Sequence, residues 1–268
     1  SFECETIDVR YDPRRRTAYA DELHKLRGRK GLTQEDAVRL LKSTTYFAPM
    51  MVRMGDADGY LGGVSHHYPD IVRPCLHTIG PDPDSHRIVG TYMMTVNGQL
   101  MFIGDATINI YPDSRTLAEI AVQTAKVARR FGVKPKVAML SFSNFGTSGE
   151  LRTDRIEEAV SIAREIDPDL TIDGPMQADT ALVPAIQEDY PFMAFDGPAN
   201  VLICPNLASA NIAYKLLQRI AGAEMTGPIL EGLSKPAHVL QRGDSVRDVV
   251  HMAAICAVDA QRHARQRL

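Results

Sequence analysis

The sequence predicts an α/β fold built on a largely parallel sheet, and three observations predict it. The chain has 268 residues and is 44% apolar, which is enough to bury one large core or two modest ones. Short apolar runs alternate with amphipathic segments over most of its length, as expected when helices cross between parallel strands. The segments 86–97 and 98–109 are separated by little more than a turn, so they predict an antiparallel pair added to that sheet.

Four short apolar runs predict the buried strands of this sheet. Each run is rich in branched residues and ends in turn-forming residues, which is typical of strands covered on both faces. The runs are VAMLSFS (137–143), LTIDG (170–174), NVLICP (200–205) and AHVLQ (237–241). The segments between them are expected to form helices.

Three apolar stripes at helical spacing predict helices between and after these strands. A stripe of this kind normally packs against the core, so all three are expected to face inward. The stripes are Ile156, Ala159, Val160, Ala163 and Ile166; Ile212, Leu216, Leu217 and Ile220; and Val246, Val249, Val250, Ala253 and Ala257.

Capping boxes predict where three helices start. In this motif a hydroxyl residue is followed three positions later by a carboxylate, and each side chain bonds the backbone N–H of the other residue. The pairs are Thr33 with Asp36, Thr116 with Glu119, and Ser245 with Asp248. Helices are therefore expected to begin directly after each hydroxyl residue.

The charge of the chain argues against two classes of partner. A net charge of −3 and a pI near 6.2 provide no broad positive field for nucleic acid. The basic segments 10–16 and 261–268 are therefore interpreted as solvated surface. No apolar run approaches the ~20 residues that span a bilayer, and the N-terminus does not resemble a signal peptide. We expect a cytoplasmic protein with no membrane or nucleic-acid partner.

Cysteine and histidine spacing gives no sign of a metal site or a disulfide framework. The four cysteines are Cys4, Cys75, Cys204 and Cys256, and no two of them form a CxxC pair. Only His66 and His67 are adjacent, and no HExxH motif is present. We therefore expect no metal, and we interpret Cys204 as a buried apolar residue rather than a nucleophile.

Polar loops follow all four predicted strands, at the edge where parallel sheets bind ligands. The loops are SFSNFGTSGE (141–150), GPMQADT (174–180), CPNLASANIAYK (204–215) and QRGDS (241–245). Gly146, Gly149 and Gly243 allow a ligand to approach the backbone, and Arg242 adds a positive charge. Together the loops predict a phosphate or carboxylate site, although neither nucleotide-binding fingerprint, GxGxxG or GxxxxGK[ST], occurs. For any single loop, turn formation alone is the alternative.

Two residues near the last loop have a structural alternative to a role in binding or catalysis. Asp248 has the position of a capping-box carboxylate, and spacing alone favours that role. Arg242 is close enough in sequence to pair with Asp244 or Asp248 in a surface ion pair of little energetic consequence. The sequence leaves both alternatives open.

Five segments carry a resemblance to a known family: DADGYLGGVSHHYPDIVRPCLHTIG (56–80), KVAMLSFSNFGTSG (136–149), DGPMQADTAL (173–182), ANVLICPNLASANIAYKLLQRIAG (199–222) and GPILEGLSKPAHVLQRGDSVRDVV (227–250). Together they resemble the phosphate acetyl/butyryltransferase family, whose acetyltransferases move acetyl between phosphate and coenzyme A. The resemblance runs in order from about residue 20 to residue 260. The form HVLQRGD and the loop SNFGTS are most similar to the phosphotransacetylase-like C-terminal domain of NADP-dependent malic enzymes.

The resemblance implies a more specific architecture. It implies two α/β/α domains with mostly parallel sheets and a cleft between them, similar to isocitrate and isopropylmalate dehydrogenases. The first domain is expected to comprise residues 1–82 plus 234–268 and to lack the family's first βα units. The second is expected to comprise residues 83–233. Family members dimerise, so at least a dimer is expected here.

The resemblance also assigns site residues. The arginine that handles the acyl phosphate corresponds to Arg242, and the aspartate base corresponds to Asp248. The arginines associated with coenzyme A correspond to Arg73 and Arg27, and Gln241 replaces a common serine. The full set expected to bind acetyl-CoA or phosphate is Arg27, Arg73, Ser141, Ser143, Asn144, Gly146, Thr147, Gln177, Asp179, Gln241, Arg242 and Gly243.

Three departures from the family pattern lead us to expect a degenerate site. They are Gln241 in place of serine, the additional carboxylate of Asp244, and Asn144 and Phe145 where a lysine is common. A general base contributes about 10²–10⁴ in rate and an oxyanion donor about 10²–10³, so losing several groups would abolish turnover.

The expected function is therefore allosteric regulation of a malic enzyme, which decarboxylates malate oxidatively to pyruvate. Acetyl-CoA or a related acyl-CoA would bind in the degenerate cleft as a ligand. The malic enzyme domain in the same chain would hold the NADP and a divalent metal. The alternatives are an active phosphate acetyltransferase, supported by Arg242 and Asp248, and a purely structural domain that assembles an oligomer.

Overall fold

The computed structural model describes residues 4–83, 85, 87–96, 98–146 and 151–265, with only the backbone described for 151–153. The chain divides into two compact units. Unit 1 comprises Ser1–Asp84 together with Leu233–Leu268, and unit 2 comprises Ser85–Gly232. Strands and helices occur in both, so the predicted α/β class is confirmed.

The helices and strands are numbered in chain order. The helices are α1 (Pro13–Arg27), α2 (Gln34–Leu40), α3 (Thr44–Met54), α4 (Tyr68–Thr78), α5 (Ser114–Arg130), α6 (Leu151–Ile166), α7 (Ala178–Leu182), α8 (Pro184–Gln187), α9 (Leu207–Ile220) and α10 (Val246–Arg265). The strands are β1 (Tyr60–Gly62), β2 (Val89–Val96), β3 (Gln99–Gly104), β4 (Lys136–Leu140), β5 (Thr171–Met176), β6 (Val201–Ile203), β7 (Glu224–Glu231) and β8 (Ala237–Val239). None of the helices in the described ranges has the length and apolar character needed to cross a membrane.

Unit 1 contains a short parallel sheet and a helical core. Strands β1 and β8 pair in parallel, with Tyr60 opposite Ala237. Helices α1, α2 and α3 share a core that includes Tyr19 and Phe47, whose ring centroids lie 5.1 Å apart. Because β1 and β8 are parallel, the loops that follow them emerge at the same edge.

Unit 2 is built on a six-stranded mixed sheet in the order β5-β4-β6-β3-β2-β7. Strands β5, β4, β6 and β3 are parallel to their neighbours in this group, whereas β2 is antiparallel to both β3 and β7. The predicted antiparallel pair is confirmed as β2 and β3, and β7 is a strand that the sequence did not predict. The parallel half carries the polar loops at one edge.

All four predicted buried strands form, but each differs from its predicted limits. Strand β4 ends at Leu140 and β6 at Ile203, so the last residues of the runs 137–143 and 200–205 belong to the loops. Strand β8 ends at Val239, two residues before the predicted limit. Strand β5 instead continues to Met176, two residues beyond its predicted limit.

The predicted helix start at Thr116 is wrong by three residues. Helix α5 begins at Ser114, and the side chain of Asp113 caps it by accepting a hydrogen bond from the Thr116 backbone N–H at 2.8 Å. Glu119 pairs with the Nε of Arg115 at 3.1 Å instead of bonding back to the cap. Thr116 and Glu119 have the capping-box spacing in the sequence, but Asp113, three residues before Thr116, caps the helix. The predicted start at Thr33 is confirmed.

Only one of the three predicted apolar stripes faces inward along most of its length. Helix α6 buries its stripe apart from Ile166. Helix α9 instead buries Ala210 and Tyr214, leaving Ile212 at 59% and Ile220 at 80% exposed. The Tyr214 ring stacks on that of Tyr92 with centroids 4.4 Å apart, so this aromatic pair determines which face packs.

The third predicted stripe, on helix α10, is also wrong. Met252 and Cys256 are buried in this helix, whereas Val246 and Val250 are exposed. Apolar spacing identifies the helix but does not determine which face packs, because small or sulfur-containing residues on the opposite face can also pack closely.

A buried carboxylate fixes the loop that follows β3. Asp105 is 3% exposed and accepts hydrogen bonds from four backbone N–H groups, at 3.1 Å from Gly90, 3.0 Å from Thr107, 3.2 Å from Ile108 and 2.7 Å from Asn109. Burial raises the pKa of Asp105, while these hydrogen bonds favour its charged form.

Asp105→Ala is expected to lower the free energy of unfolding by about 3 kcal/mol or more, because several buried donors then lose their acceptor at about 1–3 kcal/mol each. Urea denaturation followed by circular dichroism measures the loss. Asp105→Asn keeps one acceptor oxygen and is expected to cost less. Equal stability of the wild type and the alanine variant would show that these bonds contribute nothing.

Candidate functional site

The first group of predicted site residues lies at the edge of unit 1 where β1 and β8 end. The backbone N–H of Leu240 donates to Gly62 O at 2.8 Å, which holds the two following loops together. Gly63 has φ 132°, and a Cβ added there would collide with the Leu240 carbonyl. The loops are therefore in backbone contact, and helices α4 and α10 begin where they end.

Asp244 stabilises the turn between β8 and α10. Its Oδ2 accepts the backbone N–H of Gln241 at 2.7 Å. Burial raises the pKa of Asp244, and the nearby Asp248 carboxylate raises it further. The sequence analysis counted Asp244 as an additional carboxylate in the site, and the structure shows this carboxylate bonded to the backbone of its own turn.

Asp248 forms the predicted capping box with Ser245. Its Oδ2 accepts the Ser245 backbone N–H at 2.8 Å and the Ser245 hydroxyl at 2.7 Å, and its own N–H donates to Ser245 Oγ at 3.3 Å. The structural role is confirmed. Within the described residues Oδ1 accepts no hydrogen bond, so one oxygen of the carboxylate is left for another partner.

Arg242 does not form the ion pair that sequence proximity suggested. Within the described part of the chain, no carboxylate lies within 4.0 Å of its guanidinium, because Asp244 and Asp248 are bonded to their own turn. Its Nη1 instead lies 3.5 Å from Nε2 of His67, at the N-cap of α4. Arg242 is exposed, so its charge is accessible to an anion.

A second set of cations in unit 1 acts on His77. The Nδ1 of His77 lies 2.9 Å from the hydroxyl of Tyr46. Burial lowers the pKa of His77, and the charges of Arg27, Arg73 and Lys30 lower it further. The predicted residues Arg27 and Arg73 therefore act on the same imidazole, together with Lys30, and the sequence gave no reason to select Lys30 or His77.

Arg73→Ala is expected to raise the pKa of His77 toward its ordinary value of 6.5, because removing a nearby cation makes the protonated imidazole less costly. NMR titration of the histidine ring protons measures the shift. The control is Arg39→Ala, which removes an exposed arginine that is bonded to Asp36 and is not one of the charges acting on His77. A pKa that does not move in Arg73→Ala would show that Arg73 does not act on His77.

The second group of predicted residues lies in unit 2, after β4 and β5. Asn144 and Gln177 are bonded to each other: Asn144 Oδ1 accepts the Gln177 backbone N–H at 2.7 Å, and Asn144 Nδ2 donates to Gln177 Oε1 at 3.2 Å. Gln177 Nε2 also donates to the carbonyl of Phe142 at 2.8 Å. Both amides therefore fix the shape of the loop.

Phe145 anchors the same loop through aromatic packing. Its ring lies 5.2 Å from that of Tyr190 and 4.9 Å from that of Phe192, measured between centroids. Its backbone N–H donates to Pro175 O at 2.7 Å, and its φ is 46°. Phe145 stands where the family pattern has a lysine, and the structure shows that its ring holds the loop against Tyr190 and Phe192.

A cavity of about 980 Å³ lies beside these loops in unit 2. Its lining includes Ser141, Arg155, Cys204 and the N-cap of α9, Asn206. Arg155 donates to the carbonyl oxygens of Pro112 and Pro205 at 3.0 and 3.1 Å. Burial raises the pKa of the Cys204 thiol to about 12, which confirms that it is a buried apolar residue.

The remaining predicted residues are divided between the same two groups. Ser143 is buried, Gly146 has φ 75° and Asp179 is exposed in the first turn of α7. In unit 1, Gly243 has φ 88°. Thr147 and Gly149 lie outside the described residues. Across the ranges that are described, no group of three or more histidine, cysteine, aspartate or glutamate side chains is arranged to hold a metal ion.

Comparison with known proteins identifies relatives along almost the whole chain. Residues 2–257 match the family model described as phosphate acetyl/butaryl transferase. A phosphate acetyltransferase from Corynebacterium glutamicum is 38% identical over 90% of this chain and 74% of its own length. One from Bacillus subtilis is 41% identical over 87% of this chain and 72% of its own length.

Solved structures agree with these relatives. A phosphotransacetylase from Streptococcus pyogenes superposes with a TM-score of 0.87 at 38% identity, covering 96% of this chain and 77% of that one. The EutD phosphotransacetylase from Staphylococcus aureus gives a TM-score of 0.84 at 35% identity, covering 97% and 79%.

These findings overturn the expected regulatory function. The relatives are phosphate acetyltransferases, so the interpretation as a degenerate regulatory domain of a malic enzyme is wrong. The oxidoreductase activity, the NADP and the malic enzyme domain in the same chain lose their support with it. The expectation of a degenerate site rested on Gln241, Asp244 and Phe145, and two of these, Asp244 and Phe145, make contacts that support their loops.

Proposed function

Since the chain belongs to the phosphate acetyl/butaryl transferase family, we propose that it transfers acetyl between coenzyme A and phosphate. The observation that carries the proposal is the exposed guanidinium of Arg242. Within the described residues it has no carboxylate partner, and it lies next to the N-terminus of α10. A free cation beside a helix N-terminus favours a bound phosphate group.

In the proposed reaction the sulfur of coenzyme A attacks the acetyl carbonyl of acetyl phosphate, and phosphate leaves. The thiol first loses its proton to Asp248, whose Oδ1 accepts no hydrogen bond from the described residues. Arg242 stabilises the charge on the phosphoryl oxygens as the C–O bond breaks. In the reverse direction phosphate attacks acetyl-CoA, and Asp248 returns the proton to the sulfur.

Gln241 supplies a donor in this scheme. A carboxamide carries two N–H donors, so it can donate a hydrogen bond where a serine hydroxyl would do so. We assign it to the carbonyl oxygen of the acetyl group, which becomes negative as the tetrahedral intermediate forms. Replacing serine by glutamine therefore changes the reach of the donor without removing it.

The cations near His77 are assigned to the phosphates of coenzyme A. Arg27 and Arg73 both lower the pKa of His77, so their charges are close enough to act on one polyanion. Further residues predicted to bind acetyl-CoA or phosphate belong to unit 2, and their role stays a prediction. They are Ser141, Ser143, Asn144, Gly146, Thr147, Gln177 and Asp179.

The finer fold assignment is part of the same proposal. It comprises an isocitrate/isopropylmalate dehydrogenase-like fold with domains at 1–82 plus 234–268 and at 83–233, and at least a dimer. The support is the similarity to phosphotransacetylases over nearly the whole chain. Light scattering coupled to size exclusion measures the assembly directly.

The function is tested by incubating the purified chain with acetyl phosphate and coenzyme A and following formation of the thioester by its absorbance. We expect turnover that requires both substrates, and release of coenzyme A when acetyl-CoA and phosphate are supplied instead. Butyryl phosphate provides a comparison of acyl chains, and we expect acetyl to be preferred. The proposal fails if neither acyl group is transferred in either direction by a folded protein that binds acetyl-CoA.

A further inference from the structure

His67 is placed to control the position of Arg242. It is the N-cap residue of α4, but its side chain makes no capping hydrogen bond. Its Nε2 lies 3.5 Å from Arg242 Nη1 instead. The backbone contact between Gly63 and Leu240 holds the two loops in register, so the approach of these side chains follows from how β1 and β8 pair.

Among the residues that the structure describes, Arg242 is the charged side chain in contact with His67. In its own segment, His66 is bonded to Ser65 Oγ through Nδ1 at 3.1 Å, and the backbone N–H of Asp70 donates to the His67 carbonyl at 3.0 Å. Tyr68 is the next residue along the chain.

On the facing loop, the carboxylates of Asp244 and Asp248 are bonded to the backbone N–H groups of Gln241 and Ser245. Within the described residues neither carboxylate forms an ion pair with His67 or Arg242.

The chemistry of the pair requires His67 to be neutral. A guanidinium can only donate hydrogen bonds, so Nε2 of His67 must accept, and the ring proton must be on Nδ1. Protonation of His67 removes the acceptor and puts two positive charges side by side. The contact with Arg242 therefore exists in only one charge state of His67.

We infer that His67 is a positioning residue that holds the Arg242 guanidinium in place for the phosphoryl group, and that protonation of His67 releases it. This inference rests on the proposed acetyl transfer. It adds a pH-dependent step to the same site, in which acid weakens binding of the acyl phosphate through an arginine whose own charge does not change.

The test compares three variants across pH 5.5–8.5 in the acetyl phosphate assay. His67→Gln keeps an acceptor oxygen that cannot be protonated in this range, whereas His67→Ala removes the acceptor. His66→Gln is the matched control, because His66 is bonded to Ser65 and not to Arg242. The readout is the KM for acetyl phosphate, with the KM for coenzyme A measured alongside. Comparing each variant with wild type at every pH cancels the ionisation of the substrate.

We expect His67→Ala to raise the KM for acetyl phosphate about 5- to 10-fold at pH 8, the effect of losing one modest hydrogen bond, with little change for coenzyme A. His67→Gln is expected to stay near wild type at pH 8 and to bind acetyl phosphate better than wild type at acid pH. His66→Gln should follow the wild-type profile.

Two results would overturn the inference. If acid lowers the wild-type KM relative to His67→Gln, His67 acts as a direct cation for the phosphate rather than as a positioning residue. If His67→Ala matches wild type at every pH while all proteins turn over, the contact has no role. Absence of turnover in every protein, including wild type, would instead refute the proposed acetyl transfer.

Discussion

Arg242→Ala is expected to lower kcat/KM for acetyl phosphate by about 10²–10³-fold, the usual cost of removing one oriented group from a developing charge. Its guanidinium has no carboxylate partner within the described residues, so no internal ion pair has to break before it binds an anion. Because Arg242 has no carboxylate partner within the described residues, we also expect Arg242→Ala to change the free energy of unfolding little. Initial rates with varied acetyl phosphate at fixed coenzyme A measure the loss.

Two further variants separate charge from geometry. Arg242→Lys keeps the charge but loses the planar fork that binds two phosphoryl oxygens at once, so we expect an intermediate rate. Arg39→Ala removes another exposed arginine, bonded to Asp36 in α2, and should leave the kinetics unchanged. An alanine variant at 242 with the kinetics of wild type would remove Arg242 from the reaction.

Asp248→Asn is expected to reduce kcat by about 10²–10⁴-fold, because an amide cannot take the proton of the thiol. The carboxylate also caps α10, so the catalytic loss must be separated from a structural one. An asparagine oxygen can still accept the Ser245 backbone N–H, and we therefore expect a thermal unfolding temperature close to that of wild type. Acetyl transfer rates and thermal denaturation are measured on the same preparation.

Ser245→Ala is the matched variant for the capping role. It removes the hydroxyl that bonds Asp248 and leaves the carboxylate in place, at a cost of about 1 kcal/mol in the free energy of unfolding. We expect it to retain most of the wild-type kcat. If both variants lose activity and stability in parallel, Asp248 supports the helix and is not the base.

The sequence predicted the helices better than it predicted their orientation. The stripe of α9 marks a real helix, yet Tyr214 stacking on Tyr92 turns Ile212 and Ile220 outward. The sequence of α9 carries no information about where Tyr92 lies, because Tyr92 belongs to β2, far earlier in the chain. A helical period is local information, whereas the face that packs depends on its partner.

The site shows the same limit in its side chains. The capping box of Asp248 followed from spacing alone. The polar segments after the strands were predicted as loops, but most of 204–215 belongs to α9, and 174–180 is divided between the end of β5 and the start of α7. The contact between Arg242 and His67 could not be predicted from spacing, because the two residues are 175 positions apart in sequence. The resemblance to a family predicted which residues belong to the site, but it did not predict which way their side chains point. The contacts of Asp244 with its own turn and of Phe145 with Tyr190 and Phe192 were not predicted for that reason.

The pairing of β1 with β8 has a consequence for biosynthesis. In the sequence, β1 precedes unit 2 and β8 follows it, so β1 is translated long before β8. All strands of unit 2 are translated in that interval, so unit 2 can fold before β1 and β8 pair. The turn that bears Arg242 is translated only after all of unit 2, so this edge of unit 1 forms later than the strands of unit 2 are made.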